Sequence, residues 1–243
     1  MQISDNIYLG TAFAAGPITS DGSSPTELGV GPMGRVYVFD AQPLVLNTAG
    51  LAVSANPASG ASFVLSAAGT DAVASTVNNQ VRYTLGTARN VTITAAGANT
   101  ATYTISGFDI YGQAMSQTLA APSTSTVATT KAFKSIVSVT NANATAGASG
   151  LTVGYGDVIG IPVRMLTKDY TVGCVFNAIA VALTAVTGAD TATATATTGD
   201  VRGTVALPSV ADGVKRLVIT VALPAIASGP TATRIGAFGV VQF

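Results

Sequence analysis

Apolar and polar side chains alternate with a period of two along most of the chain, in runs rich in Val, Ile, Thr and Tyr. Val91 and Ile93 share one parity while Asn90, Thr92 and Thr94 share the other; Tyr103 and Ile105 alternate with Thr102, Thr104 and Ser106. Val201, Val205 and Leu207 alternate with Arg202, Thr204 and Ala206. Leu217, Ile219, Val221 and Leu223 alternate with Arg216, Val218, Thr220 and Ala222. Successive side chains of a strand point to opposite faces, so each pattern predicts a strand with one face in a core and one on solvent or a partner.

The turn residues agree with this reading. Asp212-Gly213 predicts a tight hairpin between the last two of those strands, because both residues tolerate positive φ. The loop Thr94 to Asn99 predicts a second hairpin. Phe108-Asp109-Ile110-Tyr111-Gly112-Gln113 predicts a third, with Gly112 free to take a left-handed position. Helical signals are thin, since the Ala-rich stretches carry Thr, Gly and Val rather than Glu, Lys and Leu. Only Ala178 to Ala185 is ambiguous.

These elements predict an all-β chain with two or more antiparallel β-sandwich or jelly-roll-like domains and a flexible N-terminal arm. Residues 1–56 hold the arm and the first strands. The arm, Gly16 to Gly34, is too rich in Gly, Pro and Ser to bury much apolar surface alone, so it is a tail or it orders on a partner. The strand Arg35-Val36-Tyr37-Val38-Phe39 follows it. Residues 57–166 read as a β-sandwich domain and residues 167–243 as a C-terminal β domain, with no polar linker between them. The uncharged stretch Tyr170 to Ala189 is long enough to cross a bilayer, but it contains Thr171, Gly173, Asn177, Thr184, Thr187 and Gly188 among Val and Ala. Weak insertion energy makes it a buried strand pair, or a strand with its turn, rather than a membrane helix. Met1 to Asp5 has neither a positive n-region nor a following apolar run, which predicts no secretory signal.

Composition narrows the function. The chain has no His and no Trp, a single Cys, a single Glu (Glu27), 9% charged residues and a formal net charge of zero. Most acid–base, nucleophilic and metal chemistry runs through the missing side chains, which argues against an enzyme. No run of Lys or Arg provides a nucleic-acid footprint; Lys215-Arg216 is the densest basic spot and reads as a solvated strand end. A mean hydropathy of +0.50 with so few charges predicts a poorly solvated surface, suited to a chain that lives in an assembly.

The remaining chemical candidates are weak. Gly29-Val30-Gly31-Pro32-Met33-Gly34 matches a dinucleotide fingerprint in letters only. No strand precedes it, a β-strand follows it, and Pro32 removes an N–H, so it reads as a turn or partner-docking loop. A Ser–Lys dyad would need Lys131, Lys134, Lys168 or Lys215, none of which sits in a recognisable motif. The carboxylates have no calcium-loop spacing. Cys174, in an apolar run, reads as a small buried hydrophobe. Asn90-Val91-Thr92 and Asn143-Ala144-Thr145 read as ordinary strand and turn residues. No catalytic, cofactor-binding or metal-binding residue is assigned.

Three stretches carry a resemblance. They are Gly31-Pro32-Met33-Gly34-Arg35-Val36-Tyr37-Val38-Phe39-Asp40; then Gly107 to Ala114 with Lys131-Ala132-Phe133-Lys134-Ser135-Ile136 and Gly154 to Val163; then Ala196 to Thr204 with Asp212 to Leu217. Together they resemble virion structural proteins of tailed bacteriophages, in particular capsid cement or decoration proteins of short-tailed phages. The resemblance implies a non-enzymatic protein on the capsid exterior, made in the bacterial host cytoplasm. It implies that the chain bridges major capsid protein subunits and forms a homo-oligomer, dimer or trimer, with no direct contact to nucleic acid or membrane. The alternatives are a tail or adaptor component and a glycan-binding receptor module of the virion.

Candidate partner-binding residues are Gly31, Pro32, Arg35, Tyr37, Phe39 and Phe243. Aromatic residues near the termini can fill pockets on a neighbour, although Tyr37 and Phe39 also fit one face of a core strand. Arg35, Asp40, Asp109, Asp157, Arg164, Asp200 and Arg202 fall in or beside the three stretches and read as residues that fix turns and register.

Overall fold

The computed structural model describes residues 2–8, 33–97, 99–120, 122, 124–142, 150–165, 167–189 and 202–224. They form β1 (Gln2–Tyr8), β2 (Met33–Ala41), β3 (Asn47–Ala55), β4 (Ala72–Val77), β5 (Gln80–Thr94), β6 (Tyr103–Phe108) and β7 (Ala114–Leu119). There follow β8 (Thr126–Asn141), β9 (Leu151–Gly160), β10 (Thr171–Phe176), β11 (Ile179–Ala180), β12 (Val186–Gly188), β13 (Gly203–Ala206) and β14 (Leu217–Pro224). Two 3₁₀ turns, Lys168–Tyr170 and Leu183–Ala185, are the only helical pieces among the described residues. The all-β expectation is met, and every strand pairing is antiparallel.

The strands make two curled sheets. One has the order β1-β2-β14-β10-β11; the other has the order β12-β13-β9-β5-β8-β6-β7, with β3 on β9 and β4 on β5. A first core, including Leu51, Phe63, Val91, Ile105, Phe133 and Tyr155, lies within the larger sheet. A second core takes Tyr37, Cys174, Phe176, Ile219 and Val221 from the smaller sheet and Ile159, Val186 and Val205 from the larger. It therefore lies between the smaller sheet and one end of the larger one. β9 serves both cores, with Leu151, Val153 and Tyr155 in the first and Ile159 in the second. Residues 1–56 are shared between the sheets, since β1 and β2 join one and β3 the other.

The β6–β7 hairpin is as predicted, with Phe108 opposite Ala114 and Gly112 at φ +81°. The other two predicted hairpins are corrected. Asp212-Gly213 lies in the connection from one sheet to the other, because β13 pairs with β9 and β12 while β14 pairs with β2 and β10. Its turn chemistry still holds locally: Asp212 Oδ1 accepts from the N–H groups of Val214 and Lys215, and Gly213 has φ +81°. Thr94 to Asn99 leads from β5 to β6, which are separated by β8. Tyr170 to Ala189 contains the expected strand pair, β10–β11, turned by Asn177 and Ala178 at positive φ. That pair is buried on one side only, with Val172, Val175 and Ile179 exposed.

Two predicted solvent faces are buried. Asn90 and Thr92 are enclosed because β5 lies in the middle of its sheet, and the Asn90 carboxamide accepts from Val158 N–H at 3.0 Å. Arg202 and Thr204 are enclosed at the other end of the sheet.

Candidate functional site

Two groups of charged side chains form buried locks. Arg89, 0% exposed, stands in β5 and binds three separate parts of the chain. Its Nε donates to the Gly156 carbonyl at 2.7 Å, and its Nη1 to the Leu44 carbonyl at 2.7 Å and to Asp71 Oδ2 at 3.2 Å. Its Nη2 donates to Asp157 Oδ1 at 2.5 Å. Asp71 Oδ1 accepts from Gly86 N–H, and Asp157 Oδ2 accepts from Ala211 N–H. Both carboxylates are thereby held on both oxygens. A desolvated guanidinium needs this full set of acceptors, because an unpaired buried charge is costly.

Arg202 and Asp109 make the second lock. Arg202 Nε and Nη2 donate to Asp109 Oδ2 at 3.0 and 2.6 Å, and the guanidinium lies 4.3 Å from the Tyr111 ring centre. Asp109 Oδ1 folds the β6–β7 turn by accepting from Tyr111 and Gln113 N–H. One carboxylate thus shapes a hairpin and fastens it to a residue next to β13. At the surface, Arg216 Nε donates to Asp40 Oδ1 at 2.7 Å and Nη2 to Oδ2. Those hydrogen bonds hold the Asp40 carboxyl below its ordinary 3.8.

Amine groups are engaged in the same way. Lys131, Lys134 and Lys215 each donate to main-chain carbonyls: Ser116, Leu85 with Gly86, and Val210. Burial lowers the Lys134 ammonium pKa below 10.5. Gln117 of β7 accepts from Thr130 and Lys131 N–H of β8, which ties β7 to a strand it does not pair with. Burial pushes the Cys174 thiol up to about 11, the environment of an inert thiol rather than a nucleophile. Among the described residues no group of three His, Cys, Asp or Glu side chains is placed to hold a metal ion.

An open cleft of about 420 Å³ runs along Phe39 to Leu44 and Asp71, Gly86 and Thr87. Its two carboxylates, Asp40 and Asp71, are already bound by Arg216 and Arg89. The cleft therefore offers no free acid–base pair.

No family model, curated protein or solved structure matches the chain.

Of the candidate partner-binding residues, Arg35, Tyr37 and Phe39 all stand in β2. Tyr37 is 4% exposed and belongs to the second core, and Phe39 packs against that core while also lining the cleft. Both fill the core-strand role that their alternation allowed. Arg35 stands in β2, in register with Leu223 of β14. Gly31, Pro32 and Phe243, and the arm up to residue 32, lie outside the described residues. Asp40, Asp109, Asp157 and Arg202 each fix a turn or a strand contact, as their sequence neighbourhood suggested. Arg89 and Asp71, the centre of the largest lock, were missed. The available signal was an Arg inside a β-branched run, on the same parity as Val91 and Ile93.

Among the exposed side chains are several large hydrophobics. Val172, Val175 and Ile179 are exposed at β10–β11; on the β4–β5 ribbon Val73 and Val77 are exposed on one face and Val81 on the other.

Proposed function

We propose that this chain is a non-enzymatic virion structural protein: a capsid cement protein that binds the outer surface of the shell and bridges major capsid protein subunits. The observation that supports it best is the use of charge. The ion pairs at Arg89 and Arg202 bind strands and turns to one another, while large apolar side chains such as Val73, Val172 and Ile179 stay exposed on the strands. A protein that acts by holding others together needs a rigid body and contact faces, not a reactive cleft. In this reading the two packed sheets form a β-sandwich or jelly-roll-like body. The Gly/Pro-rich stretch around Gly31 and Pro32 clamps the shell, and affinity comes from many copies acting together. The virion part of the reading comes from the turn-and-strand phrases around Gly31 to Asp40, Gly107 to Val163 and Ala196 to Leu217.

The test is binding to empty shells of the major capsid protein from the same virus, followed by sedimentation, with the copy number in purified virions measured alongside. Saturable binding at a copy number comparable to that of the capsid protein, with a raised temperature of shell disruption, is expected. Binding to host polysaccharide without binding to shells would sink the cement reading in favour of a receptor module. A copy number matching a single vertex would sink it in favour of a tail or adaptor part.

A further inference from the structure

The ribbon made by β4 and the first residues of β5 lies outside both cores from Val73 to Val81, every residue of which is exposed, Val73 by 64%. It is held by a two-residue turn at Asn78 and Asn79, with φ of 49° and 59°. β4 pairs with β5 over Ala72 to Val77 without any shift of register, whereas β3–β9, β5–β8, β5–β9 and β6–β8 all shift. Among the described residues no strand pairs with the other edge of β4.

Every other free edge in the described sheets is blunted. β11 and β12 are two and three residues long. β1 contains a bulge, the outer side of β3 bonds to Ser66 and Gly69, and β7 is half enclosed, with Met115, Gln117 and Leu119 buried and Lys131 Nζ on its Ser116 carbonyl. Edges without such devices recruit another strand. β4 has neither Pro nor charge nor bulge, and its six residues, Ala-Val-Ala-Ser-Thr-Val, are enough for a full strand pairing.

We infer that the edge of β4 is the interface with a second copy of this chain, β4 against β4 antiparallel across a two-fold axis. The inference rests on the reading of the chain as a subunit of an assembly, and it names the edge used. A two-fold contact sets the residue on the axis against its own copy and brings the rest of a short edge close to theirs, so a charge on the edge would repel its counterpart. Residues 72–81 carry none. The flanking charges are turned away: Asp71 is held by Arg89, and the Arg82 guanidinium sits 3.8 Å from the Phe108 ring centre. A two-residue hairpin turn makes Val77–Gln80 a pair that exchanges both N–H···O bonds, and such pairs alternate along the ladder. The N–H and C=O groups of Ala72, Ala74 and Thr76 therefore point outward. Antiparallel pairing of these three places the axis at Ala74, with Ala72 opposite Thr76 of the second copy.

The test is the mass of the full chain in solution, by light scattering, for the wild type, Ala74→Pro, Ala74→Lys and the surface control Val214→Lys. Ala74→Pro removes an outward N–H without removing a bond to β5, and Ala74→Lys sets two ammonium groups against each other at the axis. The wild type and Val214→Lys are expected at twice 24.0 kDa, and both Ala74 variants at one chain mass with an unchanged β circular dichroism spectrum. Amide exchange of the wild type supplies a measurement that no variant's misfolding can spoil: the Ala74 and Thr76 amides should be protected. A wild-type mass of one or three chains, free exchange at these amides, or folded Ala74 variants that stay dimeric would each overturn the inference. A monomer that still binds shells removes the β4 contact and leaves the cement reading; a β4 dimer that ignores shells does the reverse.

Discussion

Arg89 has no contact with water, and its guanidinium bridges Asp71 and Asp157. Arg89→Met fits the space but leaves both carboxylates without their cation. Breaking a buried pair from one side costs about 3–5 kcal/mol, so urea denaturation should show a loss of that order. Arg216→Met, which removes an exposed partner of Asp40, should hardly move the midpoint. The same surface pair predicts an acid effect with a definite sign. The Asp40 carboxyl is held below 3.8 in the folded chain, so its contribution is present above that value and is lost as pH falls through the lowered one. Asp40→Asn should therefore flatten the acid limb of the stability curve, measured by denaturation from neutral pH down to about pH 2. Asp109 was readable from its turn neighbourhood, and Asp157, inside β9, from the stretch Gly154 to Val163 in which it falls. Arg89 was missed although it shares the parity of Val91 and Ile93, because nothing local marks Leu44, Asp71 and Asp157 as its partners.

Local chemistry fixed the strands and one hairpin but not their partners. Phe108 to Gln113 carries its own instructions: Asp109 folds the turn and Gly112 takes φ +81° with open space around its α-carbon. Gly112→Ala should thus cost only the left-handed backbone penalty, about 1–2 kcal/mol in thermal or urea unfolding. Gly154 is the opposite case. A β-carbon there would lie within 1.9 Å of the Asn47 carbonyl oxygen, so Gly154→Ala must push β3 off β9. Hydrogen exchange should show β3 amides losing protection in that variant while β6–β7 amides keep theirs. Asp212-Gly213 and the loop from Thr94 misled for a shared reason. Asp212-Gly213 is a sound turn, but β5 finds β8 and β9, and β14 finds β2 and β10, across distances that no local pattern encodes. Burial of Thr204 and Asn90 follows from those distant pairings and was equally hidden.

Across the whole molecule, the two cores are not independent, because β9 runs from one into the other. Arg202 adds a second tie, joining the end of β13 to the β6–β7 turn through Asp109. Cores that share a strand should unfold together, as single cooperative units do. Cys174 gives a direct test, since it is the sole cysteine and lies in the second core. At neutral pH its buried thiol should react with a disulfide reagent only on unfolding. The urea midpoint read from that reaction should coincide with the midpoint read from amide exchange at Val91 and Ile105 in the first core. Two separate midpoints would show that β9 does not couple the cores. The thiol also sets an alkaline limit. Its pKa rises from 9.0 to about 11 on folding, so the unfolded chain ionises first and stability falls as pH rises through that window. Because the cores are coupled, the loss should appear at Val91 and Ile105 as well, and Cys174→Ser should remove it from both reporters together.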